Sequence, residues 1–306
     1  MMFSRQLGGG AELIEIIEFD GPTHDAQWML PDAPASLFDA NKALLKDRFW
    51  TPLTNRLVFT YQLWLLKTSD ATILVDTGCG NHKARVSPYQ DKINTPVIDW
   101  LEAVGAAPED VTHVLHTHLH SDHVGWNTRL IDGRWVPTFP NAVYYMPKLD
   151  YDLFNGRAAV GMKPEMYQGV MADSVNPVVH AGLVRFVAPG DEVAGLVAIA
   201  TPGHTPGHVA YLFRHRGEDI IFAGDVLHSP VQVLCPHVNS RWCEDQSLAR
   251  RTRHDLLCTA VERDAAILPA HAKGLHGWRV ARCDDGFAVG FDEQPVGAVT
   301  RDLVNS

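Results

Sequence analysis

The stretch Thr117-His118-Leu119-His120-Ser121-Asp122-His123 sets three imidazoles and a carboxylate into six residues, directly after the apolar run 111–116. A metal ion needs nitrogen and oxygen donors converging on one point, and a single turn of backbone here offers both. Imidazoles suit zinc, iron, manganese or cobalt, whereas calcium and magnesium take oxygen shells. Four donors exceed what one tetrahedral ion usually accepts from so short a loop. The stretch therefore points to two adjacent metals.

A polar donor at the end of an apolar strand recurs along the chain. His204 lies in the turn Thr201-Pro202-Gly203-His204-Thr205-Pro206-Gly207-His208, after a strand signal at 197–200. Asp225 follows Ile221-Phe222-Ala223-Gly224, and His271 follows Ile267-Leu268-Pro269-Ala270. Further strands are expected at 12–19, 57–66, 72–76, 142–146 and 209–213, with a hairpin around Asp132-Gly133. Helices are expected at 95–104, with Thr95 as N-cap and Pro96 in its first turn, and at 245–262 along a Leu248, Thr252, Leu256, Ala260 stripe. Residues 155–180 show no period. Two blocks of strands, each followed by helices, predict an α/β chain: a sandwich of two mixed β-sheets flanked by helices, one domain over 1–306 with a variable lid or pocket wall around 126–190.

A formal charge of −10 over 306 residues argues against nucleic-acid and anionic-membrane partners. The densest basic run, Arg250-Arg251-Thr252-Arg253, reads as a solvated helix face. Neither a signal-peptide core at the N-terminus nor an apolar run approaching the ~20 residues of a membrane span is visible. The five cysteines lack paired short spacings, which predicts free thiols and a cytoplasmic location. Cys235, His237 and Cys243 read as loop and core residues, and His113, His116 and His208 as structural histidines.

The ordered set His-x-His-x-Asp-His, then a distant His, Asp and His at strand ends, resembles the metallo-β-lactamase superfamily over roughly residues 55–280. The resemblance implies the αββα sandwich and two divalent transition metals, zinc first, with iron, manganese or cobalt as alternatives. His118, His120 and His204 would hold one metal; Asp122, His123 and His271 the other; Asp225 would bridge both. Asp76 matches an acid that orients the ligands from behind. Water between two such cations loses its proton near neutral pH, because a bound metal can lower its pKa from ~15.7 to ~7, and the resulting hydroxide is the nucleophile.

Within the superfamily, Asp225 argues against lactamases that use a cysteine ligand, and His120 against the flavodiiron branch. Gly224-Asp225-Val226-Leu227-His228 places a histidine where lactonases carry tyrosine, a form more similar to the methyl parathion hydrolase group. His228 is thus either a proton donor to the leaving group or an orienting residue. Trp126, Phe139, Tyr144, Phe154 and Tyr167 are candidates for an apolar pocket wall. The resulting expectation is a dinuclear hydrolase of lactones or carboxylic (aryl) esters, with phosphotriesterase side activity, Asp225, His228 and Asp122 as catalytic groups, and a homodimer as its assembly. A persulfide dioxygenase-like protein with a single iron, and a glyoxalase II-like thioester hydrolase, are the alternatives.

Overall fold

The computed structural model describes residues 1–158, 167–274, 276–284 and 286–291. Residues 159–166 of the expected lid segment and 292–306 of the expected domain lie outside them. The chain divides into two compact units, Met1–Glu18 with Tyr61–Ala194, and Phe19–Thr60 with the chain from Gly195 onward.

The first unit is built on a mixed sheet ordered Met2–Gly8, Ala11–Asp25, Arg56–Lys67, Thr72–Val75, His113–Leu115, Val143–Pro147 and Val184–Val187, to which the second and third strands give residues 11–18 and 61–67. Thr72–Val75, His113–Leu115, Val143–Pro147 and Val184–Val187 run parallel to one another. Parallel strands need both faces covered, and Ile73, Leu74, Val75, Val114 and Leu115 are all buried. The Asp132-Gly133 hairpin forms as expected. Both residues have positive φ (47° and 74°), the twist that a two-residue hairpin turn requires.

In the second unit Leu196–Ala200, Val209–His215 and Glu218–Gly224 pair antiparallel, and Glu218–Gly224 pairs parallel with Ala266–Pro269. Helix Gln246–Arg263 starts on Asp245, whose carboxylate accepts from Leu248 N at 2.8 Å. Its buried face carries Ala249, Arg253, Leu256, Leu257 and Ala260, turned from the expected stripe so that Leu248 and Thr252 are half-exposed.

Arg253 corrects the reading of its basic run as solvated. It is 1% exposed, and its guanidinium donates to the carbonyls of Val226 (3.0 Å), Pro236 (2.7 Å) and Val238 (2.9 Å). Five donors in a rigid fork can satisfy several loop carbonyls at once, and those bonds offset the desolvation that pushes its pKa down to about 10. Thr95 does not cap the shorter helix Val97–Ala103; its hydroxyl donates to Glu18 instead, at 3.0 Å.

Segment 155–180, aperiodic in sequence, contains the end of helix Lys148–Ala158, a π-helical turn Met171–Val175 and helix Asn176–His180. A π-turn inserts a residue into the helical phase, so no 3.6-residue period survives. Two buried cations hold this turn. Arg85 makes a two-pronged ion pair with Asp173 (2.7 and 2.8 Å), and Lys83 Nζ donates to Thr128 Oγ1 (2.7 Å) and the Asp173 carbonyl (3.0 Å). Burial lowers the Lys83 pKa to about 7 despite Asp173, and the ammonium sits 3.8 Å above the Trp135 ring. Removing the carboxylate strands the Arg85 guanidinium, whereas Lys83 keeps Thr128 and the main-chain carbonyl, so Asp173→Ala is expected to cost about 3–5 kcal/mol. Urea unfolding measures it; a loss below about 1 kcal/mol would contradict this account.

Candidate metal centre

In the first unit the donor loop is tied down by one carboxylate. Asp76 stands at the end of Thr72–Val75 with φ 56°, a left-handed conformation that non-glycine residues adopt at a cost. The conformation lets its side chain accept from Thr117 N (2.8 Å), Thr117 Oγ1 (2.8 Å) and His123 Nδ1 (2.9 Å). These bonds set proton positions. A carboxylate only accepts, so His123 keeps its proton on Nδ1 and presents a lone pair at Nε2. Thr117 spends its hydroxyl proton on Asp76 and accepts from His118 Nδ1 (3.1 Å), which leaves the His118 lone pair on Nε2 as well. That nitrogen lies 2.9 Å from His120 Nδ1, and the His118 and His123 rings are 4.0 Å apart. All three histidines are buried, whereas Asp122 is half-buried with Oδ1 3.8 Å from His123 Nε2.

In the second unit three imidazoles surround Asp225. His204 Nε2 lies 3.1 Å from Oδ2, His228 Nε2 3.2 Å from Oδ2, and His271 Nε2 3.0 Å from Oδ1. Ligand atoms of Asp225, His228 and His271 all fall within 4.8 Å of one another. His271 Nδ1 donates to the Thr60 carbonyl (2.9 Å), which again leaves the lone pair on Nε2. A neutral imidazole lone pair facing a carboxylate at 3.0 Å is repulsive unless a proton or a metal ion lies between them. The donor chemistry therefore fits a cation. Backbone supports fix the carboxylate: Asp225 N donates to His208 Nε2 (3.1 Å), and Arg253 holds the carbonyl of Val226. Burial lowers the His228 pKa, with Asp225 opposing it.

The histidines expected to be structural have structural partners. His116, which burial brings to a pKa of about 4, hydrogen-bonds the His123 carbonyl through Nδ1 (3.2 Å). His208 bridges Thr201 Oγ1 (2.8 Å) and Asp225 N. Among the described residues, Cys235, His237 and Cys243 do not form a metal-compatible group.

The expected wall residues separate into groups. Phe154 stacks on His120 at 5.7 Å and Tyr167 meets the same ring edge-on at 5.5 Å. Trp126 donates to Glu18 Oε1 at 2.7 Å. Phe139 and Tyr144 lie in the core, joined by a hydrogen bond from Phe139 N to the Tyr144 hydroxyl (3.0 Å). Sequence reasoning missed a run of rings in the second unit. Phe59 stacks on His271 at 4.3 Å, Trp242 lies 5.9 Å from His228, and His24 stacks on Trp28 at 5.3 Å while meeting Trp242 edge-on at 5.0 Å. The run passes from buried Phe59 to Trp28, which is 44% exposed. Burial, with the neighbouring Arg56 guanidinium adding to it, lowers the His24 pKa to about 4 and favours its neutral form, while the Arg241 guanidinium lies 4.8 Å over the Trp28 ring at the exposed end. No spacing in the sequence signals it, because its members come from segments far apart in the chain.

The sequence profile of the Metallo-beta-lactamase superfamily matches residues 58–271. Hydroxyacylglutathione hydrolase of Synechocystis sp. is 32% identical over 48% of this chain and 46% of its own length. N-acyl homoserine lactonase AttM of Agrobacterium fabrum is 30% identical over 42% of this chain and 44% of its own. The chain thus spans less than half the length of these curated relatives. AidC, a dizinc quorum-quenching lactonase of solved structure, shares the fold with a TM-score of 0.78 at 19% identity, over 96% of this chain and 98% of its own.

Thr117→Val keeps the shape of the side chain but removes both the hydroxyl that Asp76 accepts from and the acceptor that orients His118. Metal affinity, measured by competition with a chromogenic chelator, is expected to fall about 10–100-fold. Unaltered affinity would show that this link does not position the donor.

Proposed function

Because the chain belongs to the metallo-β-lactamase superfamily, we propose that it is a metal-dependent hydrolase that opens a lactone or cleaves a carboxylic (aryl) ester, working as the single domain expected from its sequence. The observation that carries this reading is the buried carboxylate Asp225 with three imidazole Nε2 atoms within 3.2 Å, one of them fixed as a lone-pair nitrogen. His118, His120 and His204 are the donors proposed for one metal and Asp122, His123 and His271 for a second, with Asp225 serving both and Asp76 orienting the first set. The metals, zinc in the leading reading, supply an acidified water and a Lewis acid when bound.

The protein's own groups do the rest. The uncharged rings of His24, Trp28, Phe59 and Trp242 exclude water and seat the apolar part of the substrate beside His228. Phe154 and Tyr167 confine the His120 ring. As water adds to the carbonyl carbon its proton passes to Asp225 or His228 Nε2, and the same group returns that proton to the leaving alkoxide as the carbon–oxygen bond breaks. Phosphotriester turnover is a proposed side activity.

The hydroxyacylglutathione hydrolase relative favours a second reading, hydrolysis of a hydroxyacylglutathione. Among the described residues no helix is long and apolar enough to cross a membrane. The proposed location is cytoplasmic, a reading that rests on the free cysteines. A small-molecule substrate, no nucleic acid and a homodimer complete the proposal.

Elemental analysis of protein purified without chelator is expected to find two transition metals per chain. Asp225→Ala and His123→Ala should each lower the metal content and abolish lactone and aryl-ester turnover. A single iron with oxygen uptake, or full turnover in either variant, would overturn the assignment; turnover of hydroxyacylglutathione alone would favour the second reading. His228→Gln should lower kcat about 10²–10⁴-fold if the imidazole donates the proton. The loss should shrink for esters whose leaving group is a strong acid, and a loss equal for all leaving groups would assign His228 a purely orienting role.

A further inference from the structure

The first unit contains a cleft of about 480 Å³, within the usual range for small-molecule sites, between the Asn81–Asn94 turn and the hairpin that begins at Thr128. Arg129 lines it. The guanidinium is charged at any working pH, yet its Nε is buried without a hydrogen-bond partner among the described residues, and no described carboxylate pairs with it. The buried cations Lys83 and Arg85 both pair with the Asp173 carboxylate, which Arg129 has no counterpart for among the described residues, although Arg85 Nε is likewise without a partner.

Two further features narrow the ligand. Pro96, Ile98 and Leu130 give the cleft apolar surface, which suits a short hydrocarbon body. Asp99 is exposed in the same cleft, and its charge disfavours a second negative charge on anything bound there. A dianion such as a phosphate monoester is therefore a poor fit, whereas a monocarboxylate supplies two oxygens to the guanidinium fork.

We propose that this cleft binds a small amphipathic monocarboxylate, its carboxylate on Arg129 and its hydrocarbon part against Pro96, Ile98 and Leu130. The site uses none of the proposed metal donors and stands without the hydrolytic reading. Lactone or ester opening does release a molecule of this class, so the cleft is suited to holding a product. Trp126 lines the cleft, and its indole N–H and the amide of Cys79 both donate to Glu18 (2.7 and 2.6 Å), which links the cleft to the turn that follows Asp76.

Sodium octanoate, titrated into the full-length protein by calorimetry, tests the proposal. Saturable binding is expected, weakened at least tenfold by Arg129→Gln and by Asn94→Trp, which fills the cleft from an exposed loop position, and unchanged in Asp225→Ala. Inorganic phosphate should not compete. Absence of octanoate binding, equal affinity in both cleft variants, loss in Asp225→Ala, or competition by phosphate would each overturn it. Because Asp225→Ala removes only the proposed metal bridge, failure of the cleft and failure of the hydrolase reading give different patterns.

Discussion

The local structure around the donors depends on where each imidazole keeps its proton. A histidine binds a metal through a lone pair, and a buried ring retains the lone pair on a given nitrogen only if the other nitrogen donates to a group that cannot donate back. Three such groups recur here: the Asp76 carboxylate behind His123, the Thr117 hydroxyl, itself committed to Asp76, behind His118, and the Thr60 carbonyl behind His271. Asp76 governs two of them. Its unusual backbone conformation is explained by what the carboxylate must reach.

Outside this inner layer, buried cations do much of the positioning. Arg253 gathers three loop carbonyls, one of them adjacent to Asp225, and Arg85 with Lys83 anchors the π-helical turn. In each case the buried charge meets several acceptors, Arg85 Nε alone among these groups lacking one, which is the condition for tolerating it in a protein interior. The chain uses ionic groups as fasteners for loops rather than as surface decoration. Arg129 departs from this pattern in being half-exposed with no described carboxylate paired to it, and the proposed anion would pair with it.

Much was legible in the sequence because the relevant signals are local. Apolar runs at 57–66, 72–76 and 220–223 became strands with small changes at their ends, and Asp132-Gly133 made its hairpin. Every proposed donor follows a strand, as its sequence context indicated. Other features were hidden for identifiable reasons. Arg253 looks like a surface residue until the carbonyls of Val226, Pro236 and Val238 surround it. Strand Val184–Val187 gains its identity from parallel pairing with Val143–Pro147, a long-range partner that composition does not announce.

Identity and order of the proposed donors are properties of the sequence alone: His, His, Asp, His, then His, Asp and His, each at the end of an apolar run, lie within the stretch that carries the family membership. Tertiary structure decided which nitrogen of His118, His123 and His271 is available, which aromatics stand beside His228 and His271, and which arginine goes inward. The physical reason is range. Donor type and strand propensity are set by a residue and its neighbours, whereas proton placement, ring contacts and desolvation are set by groups far away in the chain, as in the bond from His271 to Thr60, 211 positions apart.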